Sequence, residues 1–279
     1  MVTFAAYAAQ ATARLREAGV EDAAFEVRCL LEDIAGIPHG MLPPEAPLGA
    51  NELNRLETAL AERLDGRPLQ YILGEWDFLS LRLQVGEGVL IPRPDTELLC
   101  ETAAQMLQNI SHPRVLDLCA GSGCVGLGIA SLLPDVSVTA VEKSTDAFAY
   151  LTANVARYPQ YRVQTVQADI VVDYNLETDE YDAIVSNPPY IPAEDLADLM
   201  REVQREPQMA LDGGADGLDF YRVITDMWLP KLKTGGFLAV EIGFDQGEKV
   251  DRLFGSAGLK NRRVLKDLGG NDRVVVGTK

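Results

Sequence analysis

Between Arg114 and Tyr190 the sequence alternates short apolar runs with polar loops and helical stretches. The predicted strands occupy positions 115–118, 136–141, 163–166 and 183–185, and the last of these is entirely apolar. Continuous apolar runs of this kind are typical of strands buried on both faces, as in a parallel sheet that helices cover on both sides. The pattern therefore predicts an α/β fold, and in such sheets ligands bind at the carboxyl edge of the strands.

Each predicted strand ends in a loop of small or polar residues. These are Cys119, Ala120, Gly121, Ser122 and Gly123 after the first strand, Glu142 after the second, Asp169 after the third, and Asn187, Pro188, Pro189 and Tyr190 after the fourth. Glycines let the backbone pass close to a ligand, and the amino terminus of the following helix favours polar or anionic groups. Glu142 can accept both hydroxyls of a ribose, and Asp169 can accept an adenine amine. NAD and S-adenosylmethionine sites share this logic.

The fourth loop separates these two cofactors. Pro188 and Pro189 donate no hydrogen bonds to a sheet, and Pro188 keeps Asn187 out of helical space, so the chain leaves the strand extended. The Asn187 carbonyl and the prolyl carbonyls are then available to accept the hydrogens of a flat NH2 group, with the Tyr190 ring beside its plane. A dehydrogenase would use the glycines and Glu142 but would leave this element without a function.

Helical periodicity dominates the first seventy residues. Thr3 is expected to cap a helix through Arg16, and a second helix is expected over 21–35 with Phe25 facing inward. Asn51 is expected to cap a third helix. The block contains no catalytic constellation, which favours a recognition or packing module.

Alternating apolar residues over 76–91 predict a β-hairpin with its turn at Gly86-Glu87-Gly88. Arg93 follows, and its position fits a solvated linker charge as well as an active-site role. Further along, an exposed helix is expected over 194–205 and another helix over 218–232. The final strand, 273–277, is expected to be antiparallel.

The composition excludes several classes of protein. The chain has 25 Lys and Arg residues against 42 Asp and Glu, and its formal charge of −17 disfavours nonspecific binding to phosphate backbones. Its start lacks the pattern of a signal peptide, and no apolar run is long enough to span a membrane. The four cysteines show no zinc-site spacing, and the two histidines are too few for a His-based metal centre. We therefore expect a cytoplasmic protein with no metal site and no membrane contact.

Four stretches of the sequence resemble the HemK family, the N5-glutamine methyltransferases that modify peptide chain release factors. They are Pro68-Leu69-Gln70-Tyr71-Ile72-Leu73-Gly74, Ile91-Pro92-Arg93-Pro94-Asp95-Thr96-Glu97, the glycine loop 117–123, and Asn187-Pro188-Pro189-Tyr190. The resemblance covers nearly the whole chain. It implies a class I S-adenosylmethionine-dependent methyltransferase with a Rossmann-like, mostly parallel seven-stranded sheet. It also implies a helical substrate-recognition domain at 1–74, a β-hairpin linker at 75–93 and a methyltransferase domain at 94–279.

The resemblance further implies roles for the loop residues. The methionine moiety of S-adenosylmethionine would lie along 119–123, the ribose at Glu142, and the adenine near Asp169 and Ile170. The substrate glutamine would lie on 187–190, where Asn187 would also border the donor. Cys119 stands where the family often has a glycine. Ile170 stands where some members have an aromatic residue, so aliphatic packing would replace stacking on the adenine.

The implied reaction methylates the side-chain amide nitrogen of the glutamine in the Gly-Gly-Gln loop of peptide chain release factors. The expected working state is a monomer. An alternative reading is methylation of a base amine in nucleic acid, such as N6 of adenine, because DNA adenine methyltransferases share the glycine loop and the Asn-Pro-Pro-Tyr element. The acidic charge and the lack of a basic, aromatic-rich module disfavour that alternative, so no direct nucleic-acid substrate is expected.

Overall fold

The computed structural model describes residues 1–174 and 180–279, which form two compact units. The first unit contains Met1–Gly74 together with the short segment Arg201–Arg205. The second unit contains Glu75–Met200 and Glu206–Lys279.

Four helices build the first unit. They are α1 (Phe4–Glu17), α2 (Ala23–Ala35), α3 (Ala50–Leu64) and α4 (Leu69–Leu73). Thr3 caps α1 as predicted, because its Oγ1 accepts a hydrogen bond from the Ala6 amide at 3.2 Å. The helices pack through fully buried side chains at helical spacing, which include Leu15, Leu31, Leu56 and Leu60.

A buried arginine ties the segment Arg201–Arg205 to the first unit. Arg63 on α3 is 4% exposed. Its guanidinium donates to Glu26 at 2.5 Å and to Glu202 at 2.6 Å. Because a buried charge is tolerated only when it is paired and hydrogen-bonded, both carboxylates are needed around this cation.

The second unit contains a hairpin and a seven-stranded sheet. The hairpin is formed by β1 (Glu75–Phe78) and β2 (Leu81–Gln84), and the sheet by β3 (Arg114–Leu118), β4 (Ser137–Glu142), β5 (Arg162–Gln167), β6 (Tyr181–Ser186), β7 (Leu232–Glu241), β8 (Lys260–Lys266) and β9 (Asp272–Thr278). The strand order is β5-β4-β3-β6-β7-β9-β8. β9 runs antiparallel to both of its neighbours, β7 and β8, as predicted for the final strand. The strand order reverses between β3 and β6, and ligands bind at such switch points.

Helices cover both faces of the sheet and enclose two apolar cores. These helices are α5 (Glu97–Leu107), α6 (Cys124–Leu132), α7 (Thr145–Arg157), α8 (Asp219–Val223) and α9 (Gly247–Ser256). Along β3, Val115 packs in one core with Phe78, whereas Leu116 and Leu118 pack in the other with Trp228. This two-sided burial explains why apolar residues follow one another directly in β3 and β6 and do not alternate with polar ones.

Two helices that the sequence predicts are broken in the structure. The expected exposed helix over 194–205 is instead two 3-10 turns, Ala193–Asp198 and Val203–Arg205, because Arg201 and Arg205 donate hydrogen bonds to Asp65 at the end of α3. The expected helix over 218–232 is α8 followed by a π-helical turn, Ile224–Trp228, and a 3-10 turn, Leu229–Lys231. The second of these breaks coincides with Pro230, which cannot donate an intrahelical hydrogen bond.

The hairpin turn was predicted at the wrong residues. Phe78 pairs with Leu81, so Leu79 and Ser80 form the turn. Leu79 has φ 51°, and its amide donates to the Glu97 carboxylate at 2.9 Å, a tertiary contact without a local sequence signal. Gly86 and Gly88 instead allow close packing. A Cβ at Gly86 would lie 2.3 Å from the Tyr150 hydroxyl, and a Cβ at Gly88 would lie 2.7 Å from Asp146 Cβ.

Two smaller predictions in the first unit are also wrong. Phe25 is 42% exposed rather than inward, and the Arg28 guanidinium lies 5.5 Å from its ring centre. Gly49, not Asn51, precedes α3 as its cap, and the Gly49 amide donates to the Glu52 carboxylate at 2.7 Å.

Within 1–174 and 180–279, no helix is long and apolar enough to cross a membrane. The same residues contain no cluster of three His, Cys, Asp or Glu side chains arranged to hold a metal ion.

Candidate active site

A cavity of about 310 Å³ lies at the carboxyl edge of the sheet in the second unit. The loops after β3, β4, β5 and β6 all contribute to its wall. Most of the site residues predicted from the sequence line it, namely Cys119, Ala120, Gly121, Ser122, Glu142, Asp169, Ile170, Asn187 and Pro189. Gly123, Pro188 and Tyr190 are not part of its lining.

The glycine loop after β3 bends through left-handed backbone. Cys119, Gly121 and Gly123 have φ of 60°, 55° and 84°. A Cβ at Gly121 would have no neighbouring atom within 4 Å, so open space lies beside the backbone there. The loop is fixed to β4, because the Ala120 amide donates to the Val141 carbonyl at 3.0 Å.

Glu142 ends β4 and holds two backbone amides. Its Oε2 accepts from the Gly121 amide at 2.8 Å, and its Oε1 accepts from the Ser144 amide at 2.7 Å. Burial raises the pKa of the carboxyl, while these amides oppose the increase. Each carboxylate oxygen has about two acceptor positions. One position on each oxygen therefore remains for a ligand with two hydroxyls.

Asp169 and Ile170 follow β5. Asp169 Oδ1 accepts from the Val171 amide at 2.9 Å, and Oδ2 pairs with the Lys143 ammonium at 2.8 Å. Burial favours the neutral acid, but these hydrogen bonds outweigh it and hold the pKa of Asp169 below its usual value. Ile170 is buried, and its carbonyl accepts from Trp228 Nε1 at 2.8 Å. This part of the wall combines a fixed carboxylate with an aliphatic surface.

The loop after β6 places an amide in the cavity wall. Asn187 Nδ2 donates to Thr96 Oγ1 at 3.2 Å. The preceding Ser186 is fully buried, and its hydroxyl donates to the Leu118 carbonyl at 2.7 Å, which fixes the loop at the switch point. Since Thr96 occupies the NH2 end of the amide, Asn187 Oδ1 is the end left to accept a hydrogen bond.

Close backbone packing holds Tyr190 at the end of this loop. Its carbonyl accepts from Gln246 Nε2 at 2.8 Å. A Cβ at Gly213 would lie 2.7 Å from Tyr190 Cα, so only glycine fits against the backbone there. Pro188 is buried beside it.

Arg93 lines the cavity as a member of an ion pair. Its guanidinium contacts the carboxylate of Glu206, which is 5% exposed. Glu206 also accepts from the Ile91 amide at 2.9 Å. Arg93 is therefore paired at the wall of the cavity, which favours a role at the site over that of a solvated linker charge.

Three side chains at the site were missed by sequence reasoning. The sequence analysis assigns no role at the site to Thr96, Lys143 or Glu241. Glu241 carried a detectable signal, because a charged residue inside the run 237–242 conflicts with burial unless it is paired or functional.

The cavity fits S-adenosylmethionine by its chemistry. That molecule presents an ammonium group, two ribose hydroxyls and an adenine amine, all of which donate hydrogen bonds. The wall offers matching acceptors in the Glu142 and Asp169 carboxylates. In addition, Ser122 Oγ is buried and has no hydrogen-bond partner within 1–174 and 180–279. The open space beside Gly121 leaves room for the chain of the ligand.

The strand order and the acceptor-lined cavity define a class I S-adenosylmethionine-dependent methyltransferase. Residues 7–74 match the model of the PrmC N-terminal domain, and residues 95–214 match that of the methyltransferase small domain. The chain belongs to the release factor glutamine methyltransferase family.

Relatives of that name support this assignment over nearly the full length. The protein from Caulobacter vibrioides is 36% identical, with 95% of this chain and 93% of the relative covered. The protein from Geobacter sulfurreducens is 41% identical, with 94% and 92% covered. The solved catalytic domain of hMettl16 in complex with MAT2A 3'UTR hairpin 1 is 15% identical and has a TM-score of 0.59, with 91% of both chains covered. At that identity the likeness concerns the fold alone.

Proposed function

We propose that the protein transfers the methyl group of S-adenosylmethionine to the side-chain amide nitrogen, N5, of a glutamine in peptide chain release factors. The names of the relatives support this substrate. The observation that carries the proposal is the state of Asn187. Its NH2 end is held by Thr96 at 3.2 Å, so its carbonyl is the acceptor available beside the donor site. An acceptor at this point suits a substrate that presents an NH2 group.

The chemistry requires an acceptor because an amide nitrogen is a poor nucleophile. Its lone pair is delocalised into the carbonyl group. The Asn187 carbonyl and the Pro188 backbone carbonyl would accept the two hydrogens, orient the NH2 group and stabilise positive charge as it develops on the nitrogen. When bound, S-adenosylmethionine supplies the electrophilic methyl group. Orientation of this kind is worth up to roughly 7–11 kcal/mol of the barrier.

Other residues of the cavity wall would bind the methyl donor, S-adenosylmethionine. Glu142 would accept the ribose hydroxyls, Asp169 the adenine amine and Ser122 a hydrogen of the methionine moiety. Ile170 would pack against the adenine in place of an aromatic ring. Arg93 and Glu206, which pair at the cavity wall, would hold the loop that borders the target.

The helical unit is proposed to recognise the body of the release factor. The target glutamine would enter on a slim Gly-rich loop, because only such a backbone lets a short side chain reach the base of a cleft. A second binding surface then adds affinity through effective concentration. We further propose the cytoplasm as the compartment and a monomer as the working state.

The decisive experiment compares substrates side by side. Labelled S-adenosylmethionine is incubated with the enzyme and either purified release factor or DNA, and mass spectrometry locates the added methyl group. We expect label on the glutamine of the release factor. A release factor in which asparagine replaces that glutamine is the matched control and should stay unlabelled. Label in DNA, with none in the release factor, would establish the base-amine alternative instead.

A further inference from the structure

The end of β7 carries a buried carboxylate next to the target site. Glu241 is 1% exposed, and its Oε2 has no hydrogen-bond partner within 1–174 and 180–279. In the parallel pairing of β6 with β7, Ser186 is in register with Val240. The residues that follow them, Asn187 and Glu241, therefore reach the same edge of the sheet on adjacent strands. The donor and target contacts described above leave Glu241 without a role.

Thr96 connects the two residues. It is 1% exposed, its Oγ1 accepts from Asn187 Nδ2 at 3.2 Å, and as a hydrogen-bonding neighbour it lowers the pKa of the Glu241 carboxyl. A hydroxyl has a single hydrogen and two acceptor lone pairs. Because an ionised carboxylate can only accept, the hydroxyl hydrogen is the atom that Thr96 can offer to Glu241. With Glu241 ionised, the hydrogen bonds would run in one direction, from the Asn187 amide through Thr96 to the carboxylate.

We propose that Glu241 is a positioning residue that fixes, through Thr96, which end of the Asn187 amide faces the target nitrogen. The proposal rests on the proposed function. An ionised carboxylate can only accept hydrogen bonds, so it holds the Thr96 hydrogen, and Thr96 in turn holds the NH2 end of Asn187. The carbonyl end is then directed to the substrate.

Protonation of Glu241 reverses this direction. A carboxylic acid can donate to Thr96 Oγ1, and the Thr96 hydrogen is then free to point towards Asn187. The Asn187 amide can accept it only by turning its carbonyl towards Thr96, a rotation that exchanges two groups of nearly equal size. Its NH2 group would then face the NH2 group of the substrate. Two donors facing each other cannot form the hydrogen bond that methyl transfer needs.

The surroundings of Glu241 allow both forms near neutral pH. Burial is the main cause that raises its pKa, to about 7, while Thr96, Arg273 and Arg93 oppose the increase and Asp95 adds to it. The Arg273 guanidinium also forms ion pairs with the carboxylates of Asp95 at 3.2 Å and Asp267 at 3.0 Å. Other titratable groups that interact electrostatically with Glu241 are Tyr190 after β6, Tyr221 on α8, Cys100 on α5 and Cys124 on α6.

The test uses two variants of nearly unchanged shape and one that restores the hydroxyl. Glu241→Gln keeps the volume but can no longer act as an anion, and Thr96→Val removes the hydroxyl. Thr96→Ser keeps the hydroxyl and should rescue activity. Asp182→Asn is the matched control, because Asp182 is a buried carboxylate, 8% exposed, at the end of β6 opposite to Asn187. For each full-length variant, kcat and KM for intact release factor are measured across about two pH units on either side of the Glu241 pKa.

We expect the wild type to lose kcat as the pH falls through about 7, the pKa of Glu241. Glu241→Gln and Thr96→Val should lower kcat by roughly tenfold to a hundredfold, the usual effect of losing a group that orients an active-site ligand. Both should also lose the decrease in kcat at acid pH, whereas Asp182→Asn and Thr96→Ser keep it. The affinity for S-adenosylmethionine, measured by calorimetry, should remain unchanged and would also show that each variant is folded.

The outcomes are distinguishable. An active wild type whose Glu241→Gln variant keeps both its kcat and its acid-side decrease would overturn the positioning role alone. A variant with a lower thermal midpoint but an unchanged pH profile would do the same, because it would show a merely structural role. A wild type that leaves the release-factor glutamine unmodified would overturn the proposed function, and this inference with it.

Discussion

Removal of the Glu142 side chain should weaken donor binding by an amount that the structure predicts. The carboxylate holds the Gly121 and Ser144 amides at 2.8 and 2.7 Å and retains one acceptor position on each oxygen. A hydrogen bond to a charged group contributes about 1.5–3 kcal/mol. With about 1.4 kcal/mol for each factor of ten, Glu142→Ala should raise the dissociation constant of S-adenosylmethionine by roughly tenfold to 150-fold. Loss of both ribose contacts would place the result at the upper end.

Isothermal calorimetry with S-adenosylmethionine measures this change directly. Glu248→Ala is a suitable control, because Glu248 lies on the surface of α9 with its side chain 79% exposed and pairs with Arg252 on its own helix. The control should bind the donor as the wild type does. Burial raises the pKa of Glu142, so wild-type affinity should also begin to fall at a higher pH than an exposed glutamate would cause.

An unchanged dissociation constant in a folded Glu142→Ala protein would refute the ribose assignment. A circular dichroism spectrum and a thermal midpoint close to those of Glu248→Ala would establish that the protein is folded. If affinity falls while the acid dependence stays as in the wild type, Glu142 binds the donor but a different group titrates.

Three further predictions concern catalysis, stability and the substrate. Asn187→Ala should lower kcat by roughly a hundredfold or more with little change in donor affinity, since its contact strengthens as charge develops on the nitrogen; near-normal turnover would contradict this. Burial raises the pKa of Asp117 from the ordinary value of 3.8 to about 8. Between these two pH values the folded protein keeps a proton on the Asp117 carboxyl, whereas the unfolded chain has released it. The wild type should therefore lose stability as the pH rises from about 4 to 8, and thermal midpoints of Asp117→Asn should lose that part of the slope. A short peptide with the target glutamine should be a much poorer substrate than the intact release factor, and equal kcat/KM values would exclude a second binding surface.

The sheet could be predicted because its strands carry a local signal. Strands such as β3 and β6 are buried on both faces, so apolar residues follow one another directly in their central parts, and the class I architecture is confirmed. The failures lie where tertiary contacts decide the backbone. Arg201 and Arg205 bond to Asp65 instead of extending a helix, and Leu79 takes a left-handed turn because Glu97 accepts its amide. No local pattern contains those partners.

The site shows the same division between local and distant information. The glycine loop and the acidic residues after β4 and β5 each follow a strand directly, so a single stretch of sequence indicates both the strand and the group at its end. Arg93 could not be assigned this way, because the residue that places it at the cavity wall, Glu206, lies more than a hundred positions away in the chain. The partner of the Asn187 amide, Thr96, is also distant, at 91 positions along the chain.

The hydrogen-bonded chain at the target site depends on the order of the strands. Thr96 precedes α5, Asn187 follows β6 and Glu241 ends β7, so three distant segments must meet. The parallel register of Ser186 with Val240 brings the next residue of each strand to one edge, and the segment before α5 supplies the hydroxyl near both. A charged residue at position 241 indicates by itself a paired or functional side chain, but its neighbours are known only once β7 is placed beside β6. With that adjacency, the proposed role of Glu241 is to orient the Asn187 amide, and that orientation would determine whether the amide accepts an NH2 group.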